Sequence, residues 1–260
     1  MKYRNKFVIV EKREPRIAVV TLSNPPLNLV TLDMSVEFNE TLREIDNDDE
    51  IRVVVLTGAP EKAFSAGSDI NEFPKVADNV IDKKLRNENE AIDTLEFLSK
   101  PVIAAIEGIA LGGGCEIAMA CDIRVISENG KIGLPEINLG VFPGSGGLFR
   151  LSRLVGHSKA VEMMYTGEIL PALEAKEAGL VSRIAPNGKA LEAALELAAM
   201  IAVKPAQAIK LIKQGVREIG HLPTAECALQ NLEYSRLIFK TPDCIEGVDA
   251  FLSKRQPRFQ

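Results

Sequence analysis

The sequence is poor in the residues that build metal centres and disulfide frameworks. Its 260 residues include two histidines and four cysteines. The cysteines show neither Cys-x-x-Cys spacing nor a neighbouring histidine cluster, and they are Cys115, Cys121, Cys227 and Cys244. Because a zinc site or a set of disulfides needs such groupings, we expect neither.

Long apolar runs and an excess of positive charge are also missing. The apolar run from Phe7 to Val10 is too short for the core of a signal peptide, and the stretch from Pro101 to Leu111 is short and contains Glu107. The formal net charge of −5 offers no overall positive field to nucleic acid or anionic lipid. We therefore expect a cytoplasmic protein with no nucleic-acid or membrane partner.

Two continuous apolar runs mark the centre of the fold. Residues 52–57 and 102–106 are rich in apolar and β-branched side chains, which is typical of strands buried on both faces of a sheet. They are separated by a loop at about 58–73 and a segment with helical spacing at 78–98. A strand, a long crossover with a helix, and a second strand together predict a βαβ unit.

The rest of the chain divides into a mixed part and a helical part. Short β-prone runs at 7–13 and 16–22 predict an opening hairpin, and helical spacing follows at 31–46. Further strands are predicted at 123–126, 131–133 and 181–184, and helices beyond Pro143 at 144–165, 171–178, 188–203, 205–219 and 223–240. We expect an α/β core at residues 1–200, with 46% of the whole chain hydrophobic, followed by a helical region at 201–260.

Three segments combine glycines with chemically useful side chains. They read KAFSAGSDI at 62–70, IEGIALGGGCEI at 106–117 and GLPEINLGVFPGSGG at 133–147. In the second, a strand runs into three consecutive glycines and then into a helix. Such glycines let the backbone approach a ligand closely, and the first amides of a helix have no internal partner. With the helix dipole, these free donors favour an anion or an oxyanion.

The glycine junction has two other interpretations. A nucleotide-phosphate loop would need Gly-Lys-Ser/Thr after the glycines or a G-x-G-x-x-G pattern, and the sequence has neither at this point. A tight turn whose glycines serve only the packing of helix on strand fits this segment equally well.

Together, the three segments resemble the crotonase (enoyl-CoA hydratase/isomerase) family in motif, order and spacing. The resemblance covers nearly the whole chain, from NPPLN at 24–28 to EGVDAFLSKR at 246–255. It implies an α/β core of ββα repeats arranged as a spiral, followed by a helical trimerisation region. It also implies a homotrimer or homohexamer and an acyl-CoA substrate, with no further cofactor because coenzyme A is part of the substrate.

The resemblance also implies particular binding residues. In that family two backbone N–H groups hold the thioester carbonyl, and by motif position they are the amides of Ser68 and Gly113, where Ser68 replaces a frequent alanine. The implied acyl-CoA-binding residues are Ala66, Ser68, Asp69, Ile70, Asn71, Gly113 and Lys254. Asp69 is equally typical of a turn. Lys254 would hold coenzyme A phosphates, and a solvated surface lysine is the alternative.

Two glutamates determine the expected reaction. Glu116 and Glu136 match the positions at which family hydratases carry their catalytic carboxylates. Hydration needs one group to take a proton from the attacking water and another to deliver a proton to the α-carbon, whereas members that only shift a double bond often lack the first glutamate. The alternative is that Glu116 only favours a helix N-terminus and that Glu136 is a solvated loop residue.

The sequence therefore predicts hydration of a trans-2-enoyl-CoA to a 3-hydroxyacyl-CoA, or the reverse dehydration. Double-bond isomerisation or decarboxylation through Glu136, and a non-catalytic family member, are the alternatives. The family's frequent GGTQRL reads GGLFRL at 146–151, and the two apolar replacements predict a drier or differently shaped acyl pocket. His157 and His221 lie beside no nucleophile motif, and we expect neither to be catalytic.

Overall fold

A seven-stranded sheet and a separate four-stranded sheet organise the chain in the computed structural model, which describes residues 2–59, 63–219 and 222–260. Lys62, the first residue of the motif KAFSAGSDI, and His221 lie outside the described residues. The strands are β1 (Lys2–Arg4), β2 (Val8–Arg13), β3 (Ile17–Leu22), β4 (Val53–Gly58), β5 (Ala63–Ser65), β6 (Val102–Ile106), β7 (Ile109–Leu111), β8 (Ile123–Ser127), β9 (Lys131–Gly133), β10 (Ile169–Pro171) and β11 (Arg183–Ala185).

The helices follow the apolar spacing of the sequence closely. The α-helices are α1 (Leu32–Asp46), α2 (Arg86–Phe97), α3 (Gly113–Ala120), α4 (Gly147–Val155), α5 (His157–Thr166), α6 (Ala172–Glu177), α7 (Ala190–Ala202), α8 (Ala206–Ile219), α9 (Thr224–Ile238) and α10 (Pro242–Leu252). A π-helical turn (Ile81–Leu85) precedes α2, and 3-10 helices span Ile70–Lys75 and Glu136–Leu139. The segment predicted as one helix at 144–165 is two, because Gly156, with φ +80°, ends α4.

The large sheet contains the predicted hairpin and the predicted βαβ unit. Its order is β1-β2-β3-β4-β6-β8-β11, with β1, β2 and β3 antiparallel and all later neighbours parallel. The parallel pair β4 and β6 is joined by the crossover that carries α2. This mixed α/β arrangement, with helices at the C-terminal end, confirms the predicted fold class.

Both faces of the large sheet are covered, which explains the continuous apolar runs. Because successive side chains of a strand point to opposite faces, Val53 and Val55 pack with α7, while Val54 and Leu56 belong to the core on the other face. That second core includes Phe38 of α1 together with residues of α2 and α3.

The C-terminal helices α8 to α10 carry much of the exposed apolar surface. Side chains that are more than half exposed there are Ile212, Val216, Leu229, Leu232, Leu237, Phe239, Ile245, Val248, Phe251 and Leu252. The division into residues 1–200 and 201–260 stays a prediction, and α7 crosses that boundary while packed on the sheet. Among the described helices, none combines the length and apolar character that a membrane span requires.

Candidate active site

The small sheet brings the three glycine-containing motifs together. Its order is β10-β9-β7-β5, and β5, β7 and β9 run parallel to one another. Each of these three strands lies in, or leads into, a different motif. Because the strands are parallel, their carboxyl ends meet at one edge of the sheet. The residues that follow the three strands, Ser68, Gly113 and Glu136, are thereby placed around a common region, as is usual for ligand sites at the carboxyl ends of parallel strands.

The amides of Ser68 and Gly113 lie next to each other at this edge. The turn before them is fixed by Val30, whose N–H donates to Gly67 at 2.9 Å and whose carbonyl accepts from Asp69 at 2.9 Å. A Cβ added to Gly113 would lie 3.3 Å from the Ser68 nitrogen. Within the described ranges, no protein carbonyl accepts from either amide, and both residues line one pocket. Two adjacent donors are therefore available to a ligand.

Gly67 and Gly114 serve packing, and for Gly114 this is the role that the alternative interpretation gave to the glycines of the junction. A Cβ on Gly114 would lie 2.2 Å from the Ser65 carbonyl oxygen, so α3 can approach β5 only with glycine at this position. Gly67 has φ +97°, and its Cβ would lie 2.7 Å from the Leu111 carbonyl oxygen. The junction thus combines two functions: Gly67 and Gly114 allow close packing, and that packing positions the free amide of Gly113.

Glu116 projects from the first turn of α3 into the protein interior. Its side chain is 2% exposed, and Oε1 accepts hydrogen bonds from the amides of Ser145 and Gly147, both at 2.8 Å. Burial raises the pKa of Glu116 to about 7; those amides oppose the rise, and the negative charges of Glu136 and Glu88 add to it. Glu116 is therefore a positioned carboxyl group that changes its protonation state near neutral pH. It is not an exposed carboxylate that only stabilises the N-terminus of a helix.

Glu136 begins the 3-10 helix that follows β9 and reaches over the glycine junction. Its Oε1 would lie 3.4 Å from a Cβ on Gly112, and no described residue donates a hydrogen bond to its buried Oε2. Burial also raises the pKa of Glu136. A buried carboxylate oxygen without a protein donor is costly, so a substrate or water is the natural partner for it.

The pocket beside these groups is mostly apolar. Ser68 and Gly113 lie in its wall with Ser145, which contacts Glu116 through its amide. The apolar lining comes from α1, α2, α3 and the chain before α1, and consists of Leu22, Val30, Met34, Phe38, Ala91, Ile92 and Ile117. Such a lining suits an acyl chain, and the two free amides supply polar contacts that can orient a ligand.

A buried ionic cluster forms the polar part of that wall. The Ser68 hydroxyl donates to Glu88 Oε1 at 2.7 Å, and Lys84 Nζ lies 3.1 Å from the same oxygen. Lys84 also binds Glu72 Oε2 at 2.6 Å and the Val30 carbonyl at 3.3 Å. Lys84 is 1% exposed and Glu88 is 5% exposed.

The remaining predicted binding residues lie on the surface beside the site. Asp69 caps the helix Ile70–Lys75 by accepting from the Asn71 amide at 3.0 Å, which is the turn-forming role. Ile70 is about half exposed, and Ala66 is held by a hydrogen bond from its amide to the Leu27 carbonyl at 2.9 Å. Contact of these residues with coenzyme A stays a prediction.

Other predicted features lie outside the pocket. Lys254 is exposed just beyond α10, where no described residue forms an ion pair with its side chain. His157 is an exposed residue at the start of α5. Leu148 and Phe149 are about half exposed, and Phe149 packs beneath the guanidinium of Arg150 at 4.7 Å. Neither apolar replacement lines the pocket that contains Ser68 and Gly113, and their effect on the acyl pocket stays a prediction.

Sequence reasoning missed the ionic cluster and the groups that hold Glu116. The sequence did contain a signal for Glu88, because it is spaced four and seven residues from Ile92 and Leu95 and so shares the buried stripe of α2. An ionisable residue within an apolar stripe indicates a buried polar site. The sequence does not show that the amides of Ser145 and Gly147 bind Glu116, because every residue except proline has the same backbone N–H group.

Comparisons with known proteins agree with the fold and with the motifs. A family model described as enoyl-CoA hydratase/isomerase matches residues 12–260. The chain is 40% identical over 252 residues to a short-chain-enoyl-CoA hydratase from Clostridium acetobutylicum, covering 96% of this chain and 95% of that relative. It is 37% identical over 254 residues to a 2,3-dehydroadipyl-CoA hydratase from Escherichia coli, covering 97% and 98%. A crystal structure of an enoyl-CoA hydratase from Bacillus anthracis matches with a TM-score of 0.94 at 35% identity, covering 98% of this chain and 99% of that one.

Proposed function

The chain belongs to the enoyl-CoA hydratase/isomerase family, and we propose that Glu116, Glu136 and the amides of Ser68 and Gly113 catalyse its reaction. The chain is an enzyme of the hydro-lyase type that hydrates an enoyl-CoA, in keeping with its relatives. The observation that supports the site most strongly is the placement of the buried Glu116 and the half-buried Glu136, whose Oε2 has no described hydrogen-bond partner, beside two adjacent free amides.

In the proposed complex, the thioester oxygen accepts hydrogen bonds from the amides of Ser68 and Gly113. When water attacks the β-carbon of a trans-2-enoyl-CoA, the electrons of the double bond move toward this oxygen and form an enolate. Donors aimed at that developing charge lower the barrier, typically by about 3 to 4 kcal/mol for each such donor. Ser68 can stand where alanine is frequent because the contact is made by its backbone.

The two glutamates supply the two proton transfers of hydration. Ionised Glu116 takes a proton from the attacking water, and protonated Glu136 delivers a proton to the α-carbon. The water oxygen thus forms the new bond at the β-carbon, and the enzyme finishes with its proton moved from Glu136 to Glu116. A base with a pKa of about 7 suits this transfer, because it is substantially ionised at neutral pH and still accepts a proton readily.

The hydrogen bonds of Glu116 orient it for this role. The amides of Ser145 and Gly147 both donate to Oε1, while no described residue donates to Oε2. Fixing one oxygen leaves the other to face the attacking water. The proposed reaction needs no metal or redox cofactor, because water, the thioester and the two carboxyl groups supply every bond change.

We also propose a trimer or a hexamer as the working assembly. Many apolar side chains of α8 to α10 are more than half exposed in the single chain, and large exposed apolar patches commonly mark interfaces between subunits. In such an assembly Lys254, next to α10, would bind coenzyme A phosphates, either within its own chain or at a neighbouring subunit.

The loss of ultraviolet absorbance of crotonyl-CoA on hydration tests the proposed reaction. The purified protein should hydrate crotonyl-CoA, and it should convert 3-butenoyl-CoA to crotonyl-CoA much more slowly. Glu128→Gln, at an exposed turn residue after β8, is a suitable control that should match the wild type. Rapid isomerisation without hydration would support the one-carboxylate chemistry instead, and inactivity with both substrates would support a non-catalytic role.

A further inference from the structure

Glu88 places a negative charge in the wall of an otherwise apolar pocket. It lines the pocket with Ser68 and Gly113, and its side chain is 5% exposed. Burying a carboxylate is expensive unless it is paired and hydrogen-bonded. Leucine or phenylalanine at this position would avoid that cost. We therefore expect Glu88 to have a role that requires its negative charge.

The surroundings of Glu88 hold its charge in a fixed position. Oε1 receives the Ser68 hydroxyl at 2.7 Å and faces Lys84 at 3.1 Å, while Glu72 accepts from the Leu32 amide at 3.0 Å and binds Lys84 from the other side. One cation against two carboxylates leaves the cluster with a formal charge of −1. The excess charge is thus negative. The carboxylates that carry it are held in place by hydrogen bonds from Leu32 of α1 and from Ser68, and Glu88 itself lies on α2.

One oxygen of Glu88 is left for a ligand. No described residue donates a hydrogen bond to its Oε2, although Oε1 has two partners. Glu88 lines one pocket with Ser68, Gly113 and Ser145, and the amide of Ser145 donates to Glu116. Glu88 therefore lies in the wall of the space next to the free amides, where the proposed function places the acyl group.

We propose that Glu88 is a specificity-determining residue, which favours acyl groups with a hydroxyl or ammonium donor just beyond the β-carbon and excludes acyl groups with a carboxylate there. A donor on the acyl group satisfies Oε2 of Glu88. A second carboxylate would meet the excess negative charge of the cluster in a pocket that holds little water. This inference rests on the proposed function, because it places the acyl group in the same pocket.

Hydration rates with three acyl groups measure this selectivity. The substrates are crotonyl-CoA, 4-hydroxycrotonyl-CoA and glutaconyl-CoA, whose acyl groups end in a methyl, a hydroxyl and a carboxylate. For the wild type, kcat/KM should be highest for the hydroxylated substrate and about 100-fold or more lower for glutaconyl-CoA than for crotonyl-CoA. Glu88→Gln should reduce the discrimination against glutaconyl-CoA by about 10- to 100-fold and remove most of the preference for the hydroxyl.

A matched control and a second variant separate specificity from folding. Glu90 lies on the same helix at an exposed position. Glu90→Gln should therefore leave the ratios of kcat/KM among the three substrates unchanged. If Glu88→Gln does not fold, the triple variant Lys84→Met, Glu72→Gln and Glu88→Leu removes all three charges of the cluster together, and proteins commonly tolerate the replacement of a whole buried ionic group. It should abolish the hydroxyl preference and relax the discrimination against the carboxylate.

Binding of saturated analogues distinguishes failure of this inference from failure of the proposed function. Calorimetry with butyryl-CoA, 4-hydroxybutyryl-CoA and glutaryl-CoA should give the same order of affinities in the wild type and the same loss of order in Glu88→Gln, whether or not the protein hydrates crotonyl-CoA. Glutaryl-CoA binding as tightly as butyryl-CoA would overturn the inference. The inference would also be overturned if Glu88→Gln changed the affinities for all three ligands by the same factor.

Discussion

Replacing Glu116 with glutamine should make the protein more stable at neutral and alkaline pH while it destroys most of the activity. Glutamine keeps the shape of the side chain and an oxygen that can accept from the amides of Ser145 and Gly147. It cannot ionise, so the cost of burying a negative charge disappears. Stability and turnover should therefore move in opposite directions.

The size of the stability gain follows from the pKa of Glu116. A pKa that rises from 4.5 to about 7 on folding corresponds to about 3 kcal/mol. Below pH 4.5 the carboxyl is protonated in both states and contributes nothing. Between pH 4.5 and 7 only the unfolded chain is ionised, so wild-type stability falls by about 1.4 kcal/mol per pH unit. Above pH 7 the full penalty of about 3 kcal/mol is present.

Urea unfolding of the wild type and Glu116→Gln at several pH values checks this prediction. At one fixed protein concentration, the variant should exceed the wild type in free energy of unfolding by about 3 kcal/mol at pH 8 and by about 1 kcal/mol at pH 5.5. Its hydration turnover at pH 8 should fall by roughly two to four powers of ten. A gap that is zero or independent of pH would refute the claim that Glu116 is buried with a raised pKa.

Three further predictions concern pH, the glycine junction and assembly. Wild-type kcat/KM should fall about tenfold per pH unit below about pH 7, because Glu116 must be ionised to accept a proton; a profile that is flat down to pH 5 would contradict this role. Gly113→Ala, whose Cβ would lie 3.3 Å from the Ser68 nitrogen, should lower turnover about tenfold in a folded protein. Gly114→Ala should instead cost about 1 to 3 kcal/mol of stability, because its Cβ would lie 2.2 Å from the Ser65 oxygen; equal melting temperatures would refute the contrast. Light scattering at micromolar concentration should give a trimer or a hexamer, and a monomer would be incompatible with the proposed assembly.

The long elements of the fold could be predicted because local pattern and tertiary environment agree. The run at 102–106 is apolar on every side chain, and it forms β6 in the middle of a sheet that is covered on both faces. The helical spacing at 31–46 likewise predicts α1, in which Leu42 and Ile45 are buried. In such segments the spacing of the apolar side chains is nearly sufficient to predict the type of secondary structure.

The elements that assemble the site could not be predicted from periodicity. Strands β5 and β7 have three residues each, too few to show an alternating pattern, and the first lay in a segment predicted as loop. Their pairing depends on contacts between distant parts of the chain. The candidate glutamates were found through the motifs, whereas the burial of Lys84 and Glu88 depends on α2 packing over the turn at Ser68.

Hydration and isomerisation rates of Glu116→Gln and Glu136→Gln, measured side by side, test the division of labour between the two carboxyl groups. If both groups serve hydration, each variant should lose roughly two to four powers of ten in turnover of crotonyl-CoA, while its affinity for acyl-CoA barely changes. Glu136→Gln should also abolish any isomerisation. Full hydration activity in Glu116→Gln, together with none in Glu136→Gln, would contradict the two-carboxylate mechanism and favour chemistry through Glu136 alone.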